Sequence, residues 1–204
     1  MKERITVDID DVLADTLGAL HSYVNEHAGA QLTKDHWSIA ADYGEFYETV
    51  LGKAGIDVSE YLPKFHATMI EDQTAFLPIP GSVETITRHQ DNFDFIGLSS
   101  RWPEMEDATR AWVESFFGSA FKNLVLLDYG DKAIQTKGDA CLKLGATLHF
   151  DDYPGHCDTV LAAGIDAVLV GEHGWHHRVT DGQYAHCKDM FEVGVFLDER
   201  LARR

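Results

Sequence analysis

Asp8 and Asp10 stand two residues apart directly after the apolar run Ile5-Thr6-Val7, with Asp11 adjoining. Alternate side chains of an extended chain share a face, so Asp8 and Asp10 can share a metal ion or a substrate. Carboxylates packed this closely repel one another unless a cation or a proton relieves them. Such a pair can divide the work of hydrolysis, one attacking as a nucleophile while the other moves protons. On their own the two aspartates serve equally well as a turn or a helix cap.

Three further groups follow apolar stretches or open helices. Gly97-Leu98-Ser99-Ser100-Arg101 puts two hydroxyls and a guanidinium after a strand-like run, Lys137 precedes a short helical pattern, and Asp151-Asp152 follow His149-Phe150. Hydroxyl, guanidinium and ammonium groups at Ser99, Ser100, Arg101 and Lys137 suit the oxygens of a phosphoryl group. Each has a plainer reading: the serines as a turn, Arg101 as a partner of surface acids, Lys137 as a solvated charge. Lys132 competes with Lys137, and Lys137 is preferred because it opens the helix that leads into the acidic strand. Asp8, the Asp10 backbone carbonyl and the Asp151-Asp152 pair suit Mg²⁺, a hard cation that takes oxygen ligands.

The elements that must position these groups alternate. Strands are expected at Arg4–Asp8, Phe93–Leu98, Asn123–Leu127, Thr147–Phe150 and Ala167–Val170. Helical patterns lie between them, at Pro103 to Phe117, Asp139 to Leu144 closed by Gly145, and Pro154 to Ala163 followed by Gly164. Asp189 to Leu201 reads as one more helix. Alternation of this kind predicts an α/β fold, a Rossmann-like doubly wound parallel sheet whose acids gather at the carboxyl edge. Residues 17–76 break the pattern with aromatic-rich helical stretches, which predicts a small helical cap inserted after the first strand. The expected division is a core of 1–16 and 77–204 and a cap of 17–76.

The order D-x-D, S, K, DD resembles the haloacid dehalogenase superfamily of phosphatases. Within it, DIDDVLADT, FLPIPGSVETI, LSSR, Thr109-x-x-Trp112, KGDACLKLGA and FDDYP resemble the cytosolic and mitochondrial type of 5'(3')-deoxyribonucleotidases and their bacterial relatives. The likeness runs from residue 4 to about 178 and is weakest across the cap. Two departures stand out: a serine pair where many relatives have threonine then serine, and a Gly171 to Arg178 segment that only loosely echoes the usual ending. The resemblance implies Asp8 as nucleophile, Asp10 as acid and base, Mg²⁺ as cofactor and a nucleoside or deoxynucleoside 5'-monophosphate as substrate. It also implies cap aromatics stacking on the base, with Trp37, Phe46, Tyr47 and Phe65 as candidates. The rival readings are a phosphatase for another small ester, such as a sugar phosphate, and a non-catalytic phosphate-binding protein of the same fold.

Composition narrows the partners. The 204-residue chain carries 34 acidic against 17 basic residues, a formal net charge of −17. That surface repels polymeric nucleic acid and anionic membranes, and leaves a small-molecule phosphate ester as the expected partner. No stretch approaches the roughly 18 apolar residues of a membrane span, and Cys141, Cys157 and Cys187 form no C-x-x-C pair, so a cytoplasmic protein with reduced thiols is expected. The sequence leaves the oligomeric state open, a homodimer included. His173, His176, His177, His186 and Cys187 cluster near the carboxyl end, in a spacing that fits no common zinc site.

Overall fold

The computed structural model describes residues 2–71, 76–127 and 136–204. Among them, β1 (Glu3–Val7), β2 (Phe93–Ser99), β3 (Phe121–Leu126), β4 (Leu148–Asp151), β5 (Asp166–Val170) and β6 (Ala185–Cys187) form one sheet in the order β3-β2-β1-β4-β5-β6. Every neighbouring pair is parallel. Strand order reverses beside β1, which pairs with β2 on one side and β4 on the other. In open parallel sheets the crevice at such a reversal, outside the strands' carboxyl ends, is where ligands bind.

Helices cover both faces. Alternate residues of β5 divide between two apolar clusters: Val168 and Val170 pack with Ile5, Val7, Phe150 and Val193, whereas Ala167 and Leu169 pack with Ala140, Cys141 and Val160. The first cluster takes in α4 (Ser82–His89), α5 (Glu106–Phe117) and α8 (Met190–Ala202), and the second α6 (Lys137–Leu144) and α7 (Pro154–Ala162). A Cβ on Gly138 would meet the Thr159 carbonyl oxygen at 2.2 Å, so only glycine lets α6 and α7 approach this closely.

Between β1 and α4 lie α1 (Thr16–Ala28), α2 (Tyr43–Lys53) and α3 (Val58–Glu71), with a 3₁₀ turn at Lys34–Ser38. The chain departs and returns at one point, because Asp15 N–H donates to the Leu77 carbonyl and Ile79 N–H to the Leu13 carbonyl, each within 2.9 Å. The Trp112 indole N–H, on α5, donates to the Phe76 carbonyl at 2.6 Å and fixes the return.

The five expected strands are present within two residues at each end, and the fold class is the one the alternation predicts. Strand β6 was not foreseen: at three residues, Ala185-His186-Cys187, it is too short and polar to show a strand pattern. Helix α6 starts two residues before the expected Asp139, because Thr136 caps it. The Thr136 hydroxyl accepts the Asp139 N–H, and the Asp139 carboxylate accepts the Thr136 N–H.

Candidate active site

The backbone of β1 carries Asp8 into the crevice. Its N–H still donates to the Phe150 carbonyl at 2.9 Å, so the ladder extends one residue past the strand and fixes Asp8 against β4. The turn that follows is tight: Leu13 and Ala14 N–H both donate to the Ile9 carbonyl, and Asp11 takes a φ of 56°. A left-handed conformation at a residue other than glycine is uncommon and is retained where surroundings over-determine it. Here the Asp11 carboxylate accepts the Leu17 N–H at 2.9 Å, tying the turn to the first turn of α1.

Lys137 joins the two central strands. Its ammonium, fully buried at the start of α6, lies 2.8 Å from Asp8 Oδ2 and 2.6 Å from Asp151 Oδ2. Burial would strip its charge, but Asp151 and Asp8 outweigh that and hold it above the ordinary lysine range. Asp151 has no free oxygen: Oδ2 also accepts from His149 Nε2 at 2.8 Å, and Oδ1 accepts the Tyr153 N–H at 2.9 Å and lies 3.2 Å from His156 Nδ1. Burial pushes the Asp151 carboxyl up, and Lys137 with the two histidines more than reverses it, leaving it well below the usual range. From His149 the chain of polar contacts runs inward to Thr6 Oγ1 at 3.0 Å and on to Cys141 Sγ at 3.2 Å.

Asp10 is held differently. Arg101, its side chain 3 % exposed, donates from Nε at 3.0 Å to one carboxylate oxygen and from an Nη at 2.8 Å to the other. The other Nη donates to Thr109 on α5, and the Thr16 hydroxyl donates to Asp10 at 2.5 Å. Desolvation works against the ionised form of Asp10, and Arg101 and Thr16 prevail, holding it below the ordinary aspartate range.

Asp152 has no such help. Its carboxyl accepts no hydrogen bond among the described residues, although its backbone carbonyl accepts from Trp175 Nε1 at 3.0 Å and His176 Nε2 at 2.5 Å. Burial, with Asp151, Asp11 and Asp8 nearby, pushes Asp152 well above the ordinary range. Burial likewise pushes Asp8 up to about 6 despite Lys137, and lifts Asp11. Several buried carboxylates facing one another with too little positive charge make a site that a divalent cation would relieve. Ligand atoms of Asp8, Asp151 and His156 lie within 4.8 Å of one another. The full coordination of Asp151 by hydrogen bonds makes it a poorer ligand than Asp152, which lines the cleft with Asp8 and whose carboxyl is unpartnered among the described residues.

The site opens on a cleft of about 200 Å³, with Lys137 and Asp151 buried behind its lining. Asp8, Asp10, Asp11, Asp152 and Arg101 line its floor, while Tyr43 and Tyr47 from α2 and His66 and Met69 from α3 line it opposite. Ser100 lines it too. Ser99 does not: it is fully buried and its Oγ accepts the Arg101 N–H at 3.1 Å, so it shapes the loop that presents Arg101. Arg101, expected to bind phosphate and with surface acids as its plainer partners, pairs instead with a site acid, Asp10. Lys132, the competing lysine, falls outside the described residues.

The aromatic candidates divide. Tyr47 lines the cleft, whereas Trp37, Phe46 and Phe65 are 7 %, 0 % and 2 % exposed and belong to the apolar cluster. Sequence reasoning missed Asp11, Thr16, Tyr43, His66, Met69, Trp102, Met105, Tyr153 and His156, which complete the lining. Asp11 and Tyr153 adjoin recognised motifs and could have been found there; the helical residues could not, because a helix pattern does not say which neighbour its side faces. The carboxyl-terminal histidines form no metal cluster among the described residues. Trp175 and His176 instead clasp the Asp152 carbonyl. On Gly174 a Cβ would lie 2.1 Å from the Ile39 carbonyl oxygen, so this turn presses against the helical segment.

A parallel sheet ordered 3-2-1-4-5-6 is common to many doubly wound proteins, and superposition on solved structures says which fold this is. It is the fold of haloacid dehalogenase-superfamily hydrolases. The putative hydrolase YfnB of Bacillus subtilis, solved bound to magnesium, superposes with a TM-score of 0.63 at 14 % identity, over 97 % of this chain and 99 % of that one. CbbY from Rhodobacter sphaeroides, in complex with phosphate, gives 0.58 at 15 % identity over 95 % and 97 %. The L-2-haloacid dehalogenase of Xanthobacter autotrophicus, with chloropropionic acid covalently bound, gives 0.59 at 14 % identity over 97 % and 99 %. Neither a family model nor a curated protein matches the chain. The shared fold carries more than one chemistry, so the reaction must be argued from the site.

Proposed function

We propose that the chain is a Mg²⁺-dependent phosphomonoesterase acting on a small phosphate ester, with a nucleoside 5'-monophosphate as the best single substrate class. The observation that carries this reading is Asp10, held in the cleft beside Asp8 by Arg101 and Thr16. Displacing a halide leaves an anion that needs no proton, whereas an alkoxide leaving a phosphoryl group does. A binding module, for its part, has no use for a second carboxylate placed to move protons next to a nucleophile.

In this reading the Asp8 carboxylate attacks phosphorus, the bond to the ester oxygen breaks, and Asp10 gives a proton to the departing alkoxide. Water then attacks the aspartyl-phosphate, Asp10 takes its proton, and the bond to Asp8 breaks to release phosphate. Arg101 keeps Asp10 ionised, the form needed as base, so protonation for the first half requires the guanidinium to loosen as the ester's negative charge arrives. Lys137 holds Asp8 in register and places a positive charge beside the transferring group. Asp8, Asp152 and the Asp10 backbone carbonyl are the groups that would hold Mg²⁺, which supplies neutralisation of charge on the phosphoryl oxygens. The helices of residues 17–76 act as a cap that keeps bulk water from the cleft.

Phosphate release from a deoxynucleoside monophosphate, a sugar phosphate and glycerol phosphate, measured beside chloride release from 2-chloropropionate, tests the reading. Phosphate release that EDTA stops and Mg²⁺ restores is expected. Chloride release without phosphate release would overturn it.

A further inference from the structure

Among the described residues, Trp102 is the one tryptophan left open. It is 54 % exposed, against 7 % for Trp37, 2 % for Trp112 and 4 % for Trp175. It lines the cleft, in the loop that also carries Ser100 and Arg101. Pro103 follows and restricts Trp102 to an extended backbone, which it adopts at φ −65° and ψ 148°. The ring is thus placed by a stiff backbone and a short 3₁₀ turn, not by burial of its own faces.

The His66 imidazole, reaching across from α3, stands edge-on to Trp102 with ring centroids 4.8 Å apart. Its Nδ1 is buried and makes no hydrogen bond among the described residues. Buried polar atoms nearly always find a partner, and a ligand atom at this wall of the cleft would supply one. Burial holds this imidazole below the ordinary histidine range, so it stays neutral, with one ring nitrogen to donate and one to accept. The sulfur-bearing side chains of Met69 and Met105 complete this end of the cleft.

Size separates the two ends. The cleft, at about 200 Å³, falls below the roughly 300–1,000 Å³ of pockets that enclose drug-sized ligands. The carboxylates and Arg101 claim the phosphoryl group, so whatever the phosphate is attached to extends along the rest of the cleft wall, which includes Trp102 and His66, and outgrows so small a cleft.

We propose that Trp102 and His66 form a ring-binding subsite: the leaving group carries a planar heteroaromatic ring that stacks on Trp102 and hydrogen-bonds to His66 Nδ1. This rests on the phosphomonoesterase reading and assigns its specificity to residues other than the buried aromatics Trp37, Phe46 and Phe65. A nucleoside monophosphate and a pyridoxine-type phosphate share this chemistry. The subsite also adjoins the proton-moving machinery, since Arg101 precedes Trp102 directly and grips Asp10.

Steady-state hydrolysis by Trp102→Leu, measured on deoxyadenosine monophosphate, pyridoxine phosphate and glycerol phosphate, tests the subsite. Stacking of a base contributes about 1–3 kcal/mol, so KM for the preferred ring-bearing ester is expected to rise about 5- to 150-fold relative to the change on glycerol phosphate. Trp102→Phe should recover much of that ratio. Whichever ring-bearing ester shows the larger ratio identifies the class. In parallel, adding deoxyadenosine or pyridoxine to the Asp8→Asn protein should quench tryptophan emission saturably, and the quench should vanish when Trp102→Leu is added. Equal losses on all three esters, or a quench that survives without Trp102, would overturn the subsite and leave the phosphomonoesterase reading standing. If no phosphate ester is turned over, the phosphomonoesterase reading fails. The quench then decides the subsite alone: its presence supports ring binding and its absence overturns it.

Discussion

The two walls of the cleft are built by different rules. On the sheet side each reactive group follows a strand by a fixed number of residues: Asp8 directly after β1, Asp151 and Asp152 at the end of β4, Arg101 two residues past β2. Ladder hydrogen bonds set those positions, and partners of opposite charge hold Asp10, Lys137 and Asp151 in place. On the helical side the cleft is lined by whichever side chains of α2 and α3 are left over after packing. Phe46 turns inward to Trp175, centroids 4.7 Å apart, while its neighbour Tyr47 faces the cleft. Chemistry is fixed by register, and selection by the residue of packing.

That contrast can be broken by substitution. The largest expected effect is on the sheet side, where Asp10→Asn should lower kcat by about 10²–10⁴-fold, the contribution of a positioned proton carrier. Thermal unfolding of the same variant reads separately what is lost by leaving the Arg101 guanidinium, 3 % exposed, without its carboxylate. If KM rises and kcat holds, Asp10 binds and does not move protons.

Lys137→Met removes the ammonium that bridges two buried carboxylates. Breaking a buried pair from one side typically costs about 3–5 kcal/mol, and denaturant unfolding should show a loss of that order together with lost activity. A stable Lys137→Met protein with wild-type turnover would mean that Asp8 needs no cationic neighbour. Phe46→Ala should cost about 3–5 kcal/mol as well, but with equal loss of activity on every ester, because the ring touches core and not substrate. A change in preference between ring-bearing and ring-free esters would place Phe46 at the substrate after all.

How much of this could be read from the sequence follows the same division. The five longer strands, their order of motifs and Asp8, Asp10, Lys137 and Asp151-Asp152 were legible, since an apolar run ending in a polar group fixes both element and position. Strand β6 was not, because three residues carry no period. The aromatic lining was misread at Trp37, Phe46 and Phe65 for a physical reason: in a helix-rich segment the same hydrophobic residues serve packing and recognition, and only contacts in space distinguish them. Trp102 was not legible because a lone aromatic between a loop and a short 3₁₀ turn has no period to say whether it is buried or open. The turn Gly174–Arg178 looked like a weak match to a family ending, yet Trp175 and His176 hold the Asp152 carbonyl.

That last contact gives the smallest effect. Trp175→Phe keeps the ring against Phe46 and deletes one hydrogen bond to the Asp152 carbonyl, a loss of about 0.5–1.5 kcal/mol. If Asp152 helps to hold the cation, the Mg²⁺ concentration for half-maximal activity should rise in this variant while activity at saturating Mg²⁺ is largely kept. An unchanged Mg²⁺ dependence would separate the clasp from the cation site.

As the nucleophile, Asp8 would become covalently phosphorylated in each turnover. Mixing the protein with Mg²⁺ and a phosphorus-labelled phosphate ester, quenching in acid within one turnover and mapping the peptides tests it most directly. Label is expected on the peptide that contains Asp8, released by hydroxylamine as an acyl phosphate is, and absent from Asp8→Asn. Label on His156 or another residue, or phosphate release by Asp8→Asn at the wild-type rate, would contradict it.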